Sequence, residues 1–154
     1  MQIRRAKSID AEALVVLINA AFRLGEGHII LGDRITLETV QFLLAKGEFL
    51  VAEDEDALAG CVYLEARGDR CYLGLLSVDP ERQRSGVGST LMRDAEERSA
   101  QAGFRFMDLR TINLREDNRL FYKHRGYTET ATEPLPSEVR TKVPCHFVNL
   151  SKQL

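Results

Sequence analysis

No stretch of this sequence comes near the ~18 consecutive apolar residues that cross a bilayer as a helix. Met1 is followed by a polar, charged segment instead of the apolar core of a signal peptide. A membrane partner is therefore not expected, and a cytoplasmic location is. Neither sign of charge dominates: the formal net charge is −2, which makes no electrostatic case for nucleic acid. Cysteine is scarce and scattered, at Cys61, Cys71 and Cys145. No two of them have zinc-ligand spacing, and an odd number in apolar, strand-like surroundings points to reduced buried thiols. Repeats, low-complexity segments and linker-like tails are also missing. What remains is an ordinary balance of 44% hydrophobic and 29% charged residues over 154 positions. That fits one domain, residues 1–154, long enough to bury a real core; a homodimer is left open.

In chain order, Ile3–Ala6 is a candidate strand, and Ser8 or Asp10 can cap a helix with Leu14, Leu17, Ile18, Ala21 and Phe22 on one face. Gly25-Glu26-Gly27-His28 should break it. The segment from Arg23 to Arg34 then reads as a mobile loop with an apolar anchor at Ile29-Ile30-Leu31. Thr36 caps a second helix that stops at Lys46-Gly47. Strands follow at Phe49–Ala52, Leu58–Glu65 and Cys71–Val78, the last two joined by a hairpin turn at Gly68-Asp69. Val87, Leu91 and Ala95 define the buried face of a third helix, with Asp94–Arg98 and Arg93–Glu97 paired on its wet side. Phe104–Thr111 alternates as a strand, and Leu120–His124 is a short helix stopped by Gly126. A strand from Tyr127, a proline-rich loop from Glu133 to Pro144 and a last strand Cys145–Leu150 complete the chain. The order is β-α-α-β-β-β-α-β-α-β-β, a mixed central sheet flanked by helices.

The chain is organised around Leu73–Leu91, where an apolar run passes through Val78-Asp79-Pro80 and a basic segment into Gly86-Val87-Gly88. A strand, a glycine loop and a helix N-terminus gather unpaired backbone N–H groups where the helix dipole favours an anion. Gly86 and Gly88 remove side chains that would hold a phosphate away, and Arg82 and Arg84 add positive charge. The combination is a pyrophosphate cradle. It is not a Walker A loop, because Ser89 and Thr90 follow Gly88 with no lysine to reach a γ-phosphate. Nor is it a Rossmann fingerprint, since Leu91 occupies the third small-residue position.

Gln83-Arg84-Ser85-Gly86-Val87-Gly88 fits the pattern Gln/Arg-x-x-Gly-x-Gly/Ala after a strand ending in Val-Asp-Pro. In this the chain resembles the GCN5-related N-acetyltransferase (GNAT) family. Phe121-Tyr122-Lys123-His124-Arg125-Gly126-Tyr127 is similar to the family's second motif, and Phe49–Glu53 with Ala59–Val62 to its central hairpin. The resemblance implies that Gln83 to Ser89, namely Gln83, Arg84, Ser85, Gly86, Val87, Gly88 and Ser89, bind the pyrophosphate arm of acetyl-CoA. It further implies that backbone groups at Leu76 and Val78 pair with the pantetheine, and that Tyr122 is the general acid toward the CoA sulfur. Many members carry an asparagine at the position that is Arg115 here; Asn113 and Asn118 flank it, and Asn118 is taken as the cofactor contact. Where some relatives place a glutamate base, this chain has Tyr72; Glu65, opposite it across the hairpin, is the candidate base, against a plain strand residue.

The expected activity is transfer of acetyl from acetyl-CoA to an amine of a small molecule or peptide, directly in a ternary complex, since no cysteine sits in a nucleophile context. The alternative is a non-catalytic acyl-CoA sensor that regulates a partner. Both need the glycine loop, and only the enzyme needs Tyr122 and an acceptor groove. His28, Glu26, Asp33 and Arg34 lie in the segment expected to face the acceptor.

Overall fold

Strands in which consecutive residues are all buried, such as Phe49–Ala52, mark a sheet covered on both faces. In the computed structural model, which describes all 154 residues, the first half comprises β1 (Gln2–Arg5), α1 (Ala11–Glu26), α2 (Leu37–Lys46), β2 (Glu48–Asp54), β3 (Ala57–Arg67) and β4 (Arg70–Val78). The second half comprises α3 (Val87–Gln101), β5 (Phe106–Ile112), α4 (Glu116–His124), β6 (Thr128–Pro134) and β7 (His146–Gln153). This is the element order read from the sequence. On β2, Leu50 and Ala52 join one core cluster with Leu91 and Met92 of α3. Their neighbours Phe49 and Val51 join the other, with Leu14 and Ile18 of α1. Each fully buried leucine or isoleucine contributes about 1.5–3 kcal/mol relative to an exposed one.

Local chemistry sets several of the element ends. Thr36 Oγ1 accepts a hydrogen bond from the Thr39 N–H at 3.2 Å, and α2 stops at Gly47. α1 ends within Gly25–His28, as expected: it runs through Gly25 to the buried Glu26 and is capped at Gly27, since one interior glycine costs only about 1 kcal/mol. α4 starts at Glu116, a turn earlier than its apolar residues indicate. On α3 the Asp94–Arg98 pair forms at 2.6 Å. Arg93 and Glu97 do not pair, in keeping with the few tenths of a kcal/mol that such exposed contacts are worth. The segment after α1 is tied down instead of loose: Ile29 is fully buried and Ile30 bridges Thr141. Leu31 N–H donates to Arg140 O at 2.9 Å, and Lys142 N–H to Ile29 O at 2.7 Å.

The seven strands lie in the order β1-β2-β3-β4-β5-β7-β6. All neighbours are antiparallel except β4 and β5, which pair in parallel only over Arg70–Tyr72 and Phe106–Asp108. Beyond Tyr72 the two strands part. The cause lies across β4, on its β3 side: Cys61 faces Ser77 and Tyr63 faces Gly74, so Val62 is opposed by both Leu75 and Leu76. That extra residue is a β-bulge, with Leu75 at φ +54°, and bulges bend the strand that carries them. The sheet therefore opens into a split between β4 and β5.

Candidate active site

The split exposes backbone polar groups that a continuous sheet would consume. Asp79 N–H donates to Ala59 O at 2.9 Å on the β3 side, so strand alternation turns the N–H and C=O of Val78 toward the split. Gln83 Nε2 reaches back to Val78 O at 3.0 Å, anchoring the glycine loop to this edge. Arg84 at φ +62° and Gly86 at φ +87° then alternate the backbone hand just before α3. Such alternation aims consecutive N–H groups into one concavity, and the first N–H groups of α3 have no intrahelical acceptor. A Cβ at Gly86 would meet nothing within 4 Å, so the space over the loop is open to a ligand.

A cavity of about 320 Å³ lies over this loop. Of the residues expected to bind cofactor, Leu76, Val78, Gln83, Arg84, Gly86, Val87, Gly88, Ser89 and Asn118 line it. Ser85 does not, and its hydroxyl donates to the Arg82 carbonyl. These groups fit a pyrophosphate followed by an extended amide-bearing arm: a concave N–H nest and then an open strand edge. Arg82 and Arg84 both line the cavity but differ in their partners. Arg82 is held by Asp54 at 2.9 Å and by Asp79 at 3.7 Å, whereas Arg84 has no carboxylate partner. Arg84→Gln should weaken coenzyme A binding roughly two- to fivefold and flatten its salt dependence. Arg82→Gln should mainly loosen the β2–β3 turn. Calorimetry at two ionic strengths that gave both variants the wild-type salt slope would show that Arg84 does not face the phosphates.

A second cavity, of about 350 Å³, shares Phe22, Leu76, Asn118 and Tyr122 with the first. Its roof is the paired segment of Ile30, Leu31 and Arg140, and its floor includes Tyr72, Gly74 and Leu109. Tyr122, at 6% exposure, stands where the two cavities meet. Its ring packs edge-on against Phe121 and Tyr127. Burial pushes its phenol pKa well above the ordinary tyrosine value.

Arg115, at the position where the family resemblance implies an asparagine, makes a clasp that the sequence did not reveal. Its Nη1 donates to Glu26 Oε2 at 2.9 Å, its Nη2 to Asn118 Oδ1 at 3.0 Å, and its Nε to Asp117 at 3.0 Å. The guanidinium lies against Gly25, where a Cβ would sit 2.5 Å from Nη1. Gly25 therefore provides the space that lets Arg115, at the start of α4, reach α1. Burial raises the pKa of Glu26, and the Arg115 charge opposes that rise. Asn118 Nδ2 also donates to Thr111 Oγ1 at 3.3 Å, so its amide is held at the junction of the cavities. Asn113 is spent elsewhere, its Oδ1 accepting from the His146 N–H at 2.9 Å.

Glu65 is not brought to this junction. It faces Tyr72 across the hairpin, as the Gly68-Asp69 turn implies, but it lines neither cavity. It accepts from Tyr63 Oη and from Arg67 Nε, each at 2.8 Å. Burial pushes its pKa up, yet those hydrogen bonds together with the Arg67 and Lys46 charges outweigh it and hold the carboxyl below its ordinary value. A carboxylate so engaged is a poor proton acceptor at neutral pH. Cys61, buried with its thiol pushed up to about 12, carries no thiolate near neutrality. His28 lies outside both cavities.

The sequence model of a family described as an acetyltransferase (GNAT) domain matches residues 45–129. No curated protein sequence matches this chain. Among solved structures, a ribosomal-protein-alanine N-acetyltransferase from Brucella melitensis superposes with a TM-score of 0.80 at 19% identity, covering 100% of both chains. An N-acetyltransferase from Staphylococcus aureus Mu50 gives 0.81 at 14% identity, over 99% of this chain and 97% of that one. The PaiA N-acetyltransferase from Thermoplasma acidophilum, in complex with coenzyme A, gives 0.77 at 18% identity, over 99% and 98%. At these identities the likeness is one of fold.

Proposed function

Since this chain belongs to the GNAT acetyltransferase family, whose usual cosubstrate is acetyl-CoA, we propose that it acetylates an amine of a small molecule directly, in a ternary complex. Acetyl-CoA supplies an acetyl thioester, whose carbon–sulfur bond breaks as a carbon–nitrogen bond forms to the acceptor. The nest before α3 and the Arg84 guanidinium bind the phosphates, and the open edge of β4 at Leu76 and Val78 receives the amide-bearing arm as a strand partner would. A backbone N–H on that edge polarises the reacting carbonyl. Tyr122 holds a proton at Oη and gives it up to the departing sulfur, and the proton shed by the amine replaces it through solvent. No residue becomes acylated.

The observation that carries this reading is the common wall of Phe22, Leu76, Asn118 and Tyr122 between the cofactor cavity and a second, roofed one. A sensor needs only the first cavity. The size of the second, near the lower end for small-molecule sites, favours a compact acceptor over a long peptide. Three free thiols accord with a cytoplasmic location, and no helix is long and apolar enough to cross a membrane. Thiol release from acetyl-CoA, screened over amino acids, polyamines, aminoglycosides and short peptides, tests the proposal. Acceptor-dependent release is expected. Tight coenzyme A binding with no release for any acceptor would leave a binding module instead.

A further inference from the structure

The charges that line the second cavity do not balance within the protein. Three carboxylates face it, and two are already occupied. Glu26 is held by Arg115 at 2.9 Å and Asp33 by Arg23 at 3.4 Å. Glu138, on the roof, has no cation partner, but Arg140, two residues further along the same roof and also unpaired, offsets its charge. Arg34 is left over. It makes no ion pair, and its guanidinium lies over the Phe22 ring, 5.2 Å from the centroid. Arg110, on the β5 wall, lies over Phe147 in the same manner at 4.1 Å, with one edge on Glu133 at 3.3 Å.

A guanidinium stacked on an aromatic ring has its face satisfied and its edge N–H donors free. Arg34 and Arg110 both line this cavity. The Glu26 charge favours the Arg34 guanidinium and the Arg110 charge opposes it. Two like charges lining one cavity repel, and an anion set between their edges relieves that cost. The rest of the cavity is largely apolar, with Leu75, Leu109, Ile112 and Val139 among its lining.

Granted that this cavity is the acceptor site, as proposed above, we propose that the acceptor carries an anionic group, a carboxylate or a phosphate, on a compact apolar body, and that the edges of Arg34 and Arg110 receive that group. The amine at the other end of the molecule then meets the junction at Tyr122. Polycations are poor acceptors, since they bring more positive charge to an unpaired arginine.

The test compares thiol release for four acceptors of matched size: an apolar amino acid, its carboxamide, its decarboxylated amine and its aminophosphonate analogue. The carboxamide's amine is less basic than the amino acid's and that of the decarboxylated compound is more basic. A preference for the acid over both therefore reports charge, not amine basicity. KM for the acid or the phosphonate should be lower by roughly tenfold or more, as a charge-assisted contact provides, and the lower of the two identifies the anion. In Arg34→Gln that ratio should collapse toward one, and Arg34→Lys should keep part of it. Equal KM values for acid, amide and decarboxylated amine, or a best acceptor that is a polyamine, would overturn the anion site while leaving the acetyltransferase intact. Coenzyme A binding without release for any acceptor would overturn both.

Discussion

Replacing Tyr122 by phenylalanine should lower turnover roughly 10- to 10³-fold with little change in coenzyme A affinity, the pattern of a group that acts in the transition state. The phenol makes no hydrogen bond within the protein, and its ring packs edge-on at 5.3 Å from Phe121 and 5.9 Å from Tyr127. Phenylalanine keeps those contacts and orphans no partner, so the melting temperature should barely move. Because burial pushes the Tyr122 pKa upward, the proton-bearing, active form persists beyond the ordinary value of about 10. Wild-type turnover should therefore show no decline from this residue below that pH. An alkaline limb with a midpoint near 8 or 9 would belong to another group. Wild-type turnover by Tyr122→Phe with the best acceptor would reduce the tyrosine to packing.

Arg115→Met should be the most destabilising single change at the site. Arg115 and Glu26 have side-chain exposures of 13% and 7%, so the substitution strands a buried carboxylate. Such losses cost about 3–5 kcal/mol, or a fall in melting temperature on the order of 10 °C for a chain of this size. The effect should depend on pH with a definite sign. Burial already sets the folded-state pKa of Glu26 above its unfolded value, and removing the Arg115 charge raises it further. The added penalty is absent while Glu26 is protonated in both states and grows as pH rises through the folded value. Melting temperatures of wild type and variant should therefore converge at acid pH and separate toward pH 8. The double variant Glu26→Gln/Arg115→Met should recover much of the loss, since no buried charge is left unpaired. A pH-independent difference, or none at pH 7, would show that the clasp does not bear on stability.

The cradle is local chemistry, and it was legible in the sequence. Gln83 to Gly88 needs only a strand end, a glycine at positive φ and a helix start within a dozen residues. Each has a residue signature that no distant contact has to supply. The same holds for the Thr36 cap, the Gly68-Asp69 turn and the buried face of α3. Tyr122 was singled out through its own short motif, and it lines both cavities. Glu65 was placed correctly across from Tyr72, but which partners its carboxylate would meet depended on Tyr63 and Arg67 in folded register.

Tertiary structure decided the rest, because the deciding groups lie far apart in the chain. The bulge at Leu75 that opens the sheet has a weak local sign in Gly74, since a glycine inside a strand can mark such an irregularity. Whether β4 and β5 separate is nevertheless settled by pairing on both sides of β4. Arg115 and Glu26 are 89 positions apart, and no periodicity joins them. Segments 29–31 and 140–142 look unstructured when each is read alone, and only their mutual hydrogen bonds make them a roof. Arg82 and Arg84 are equivalent as letters. Asp54, at the end of β2, takes Arg82 and leaves Arg84 without a carboxylate partner. Local signals determine where backbone donors and glycines fall, whereas the partner of each charge is a property of the assembled sheet.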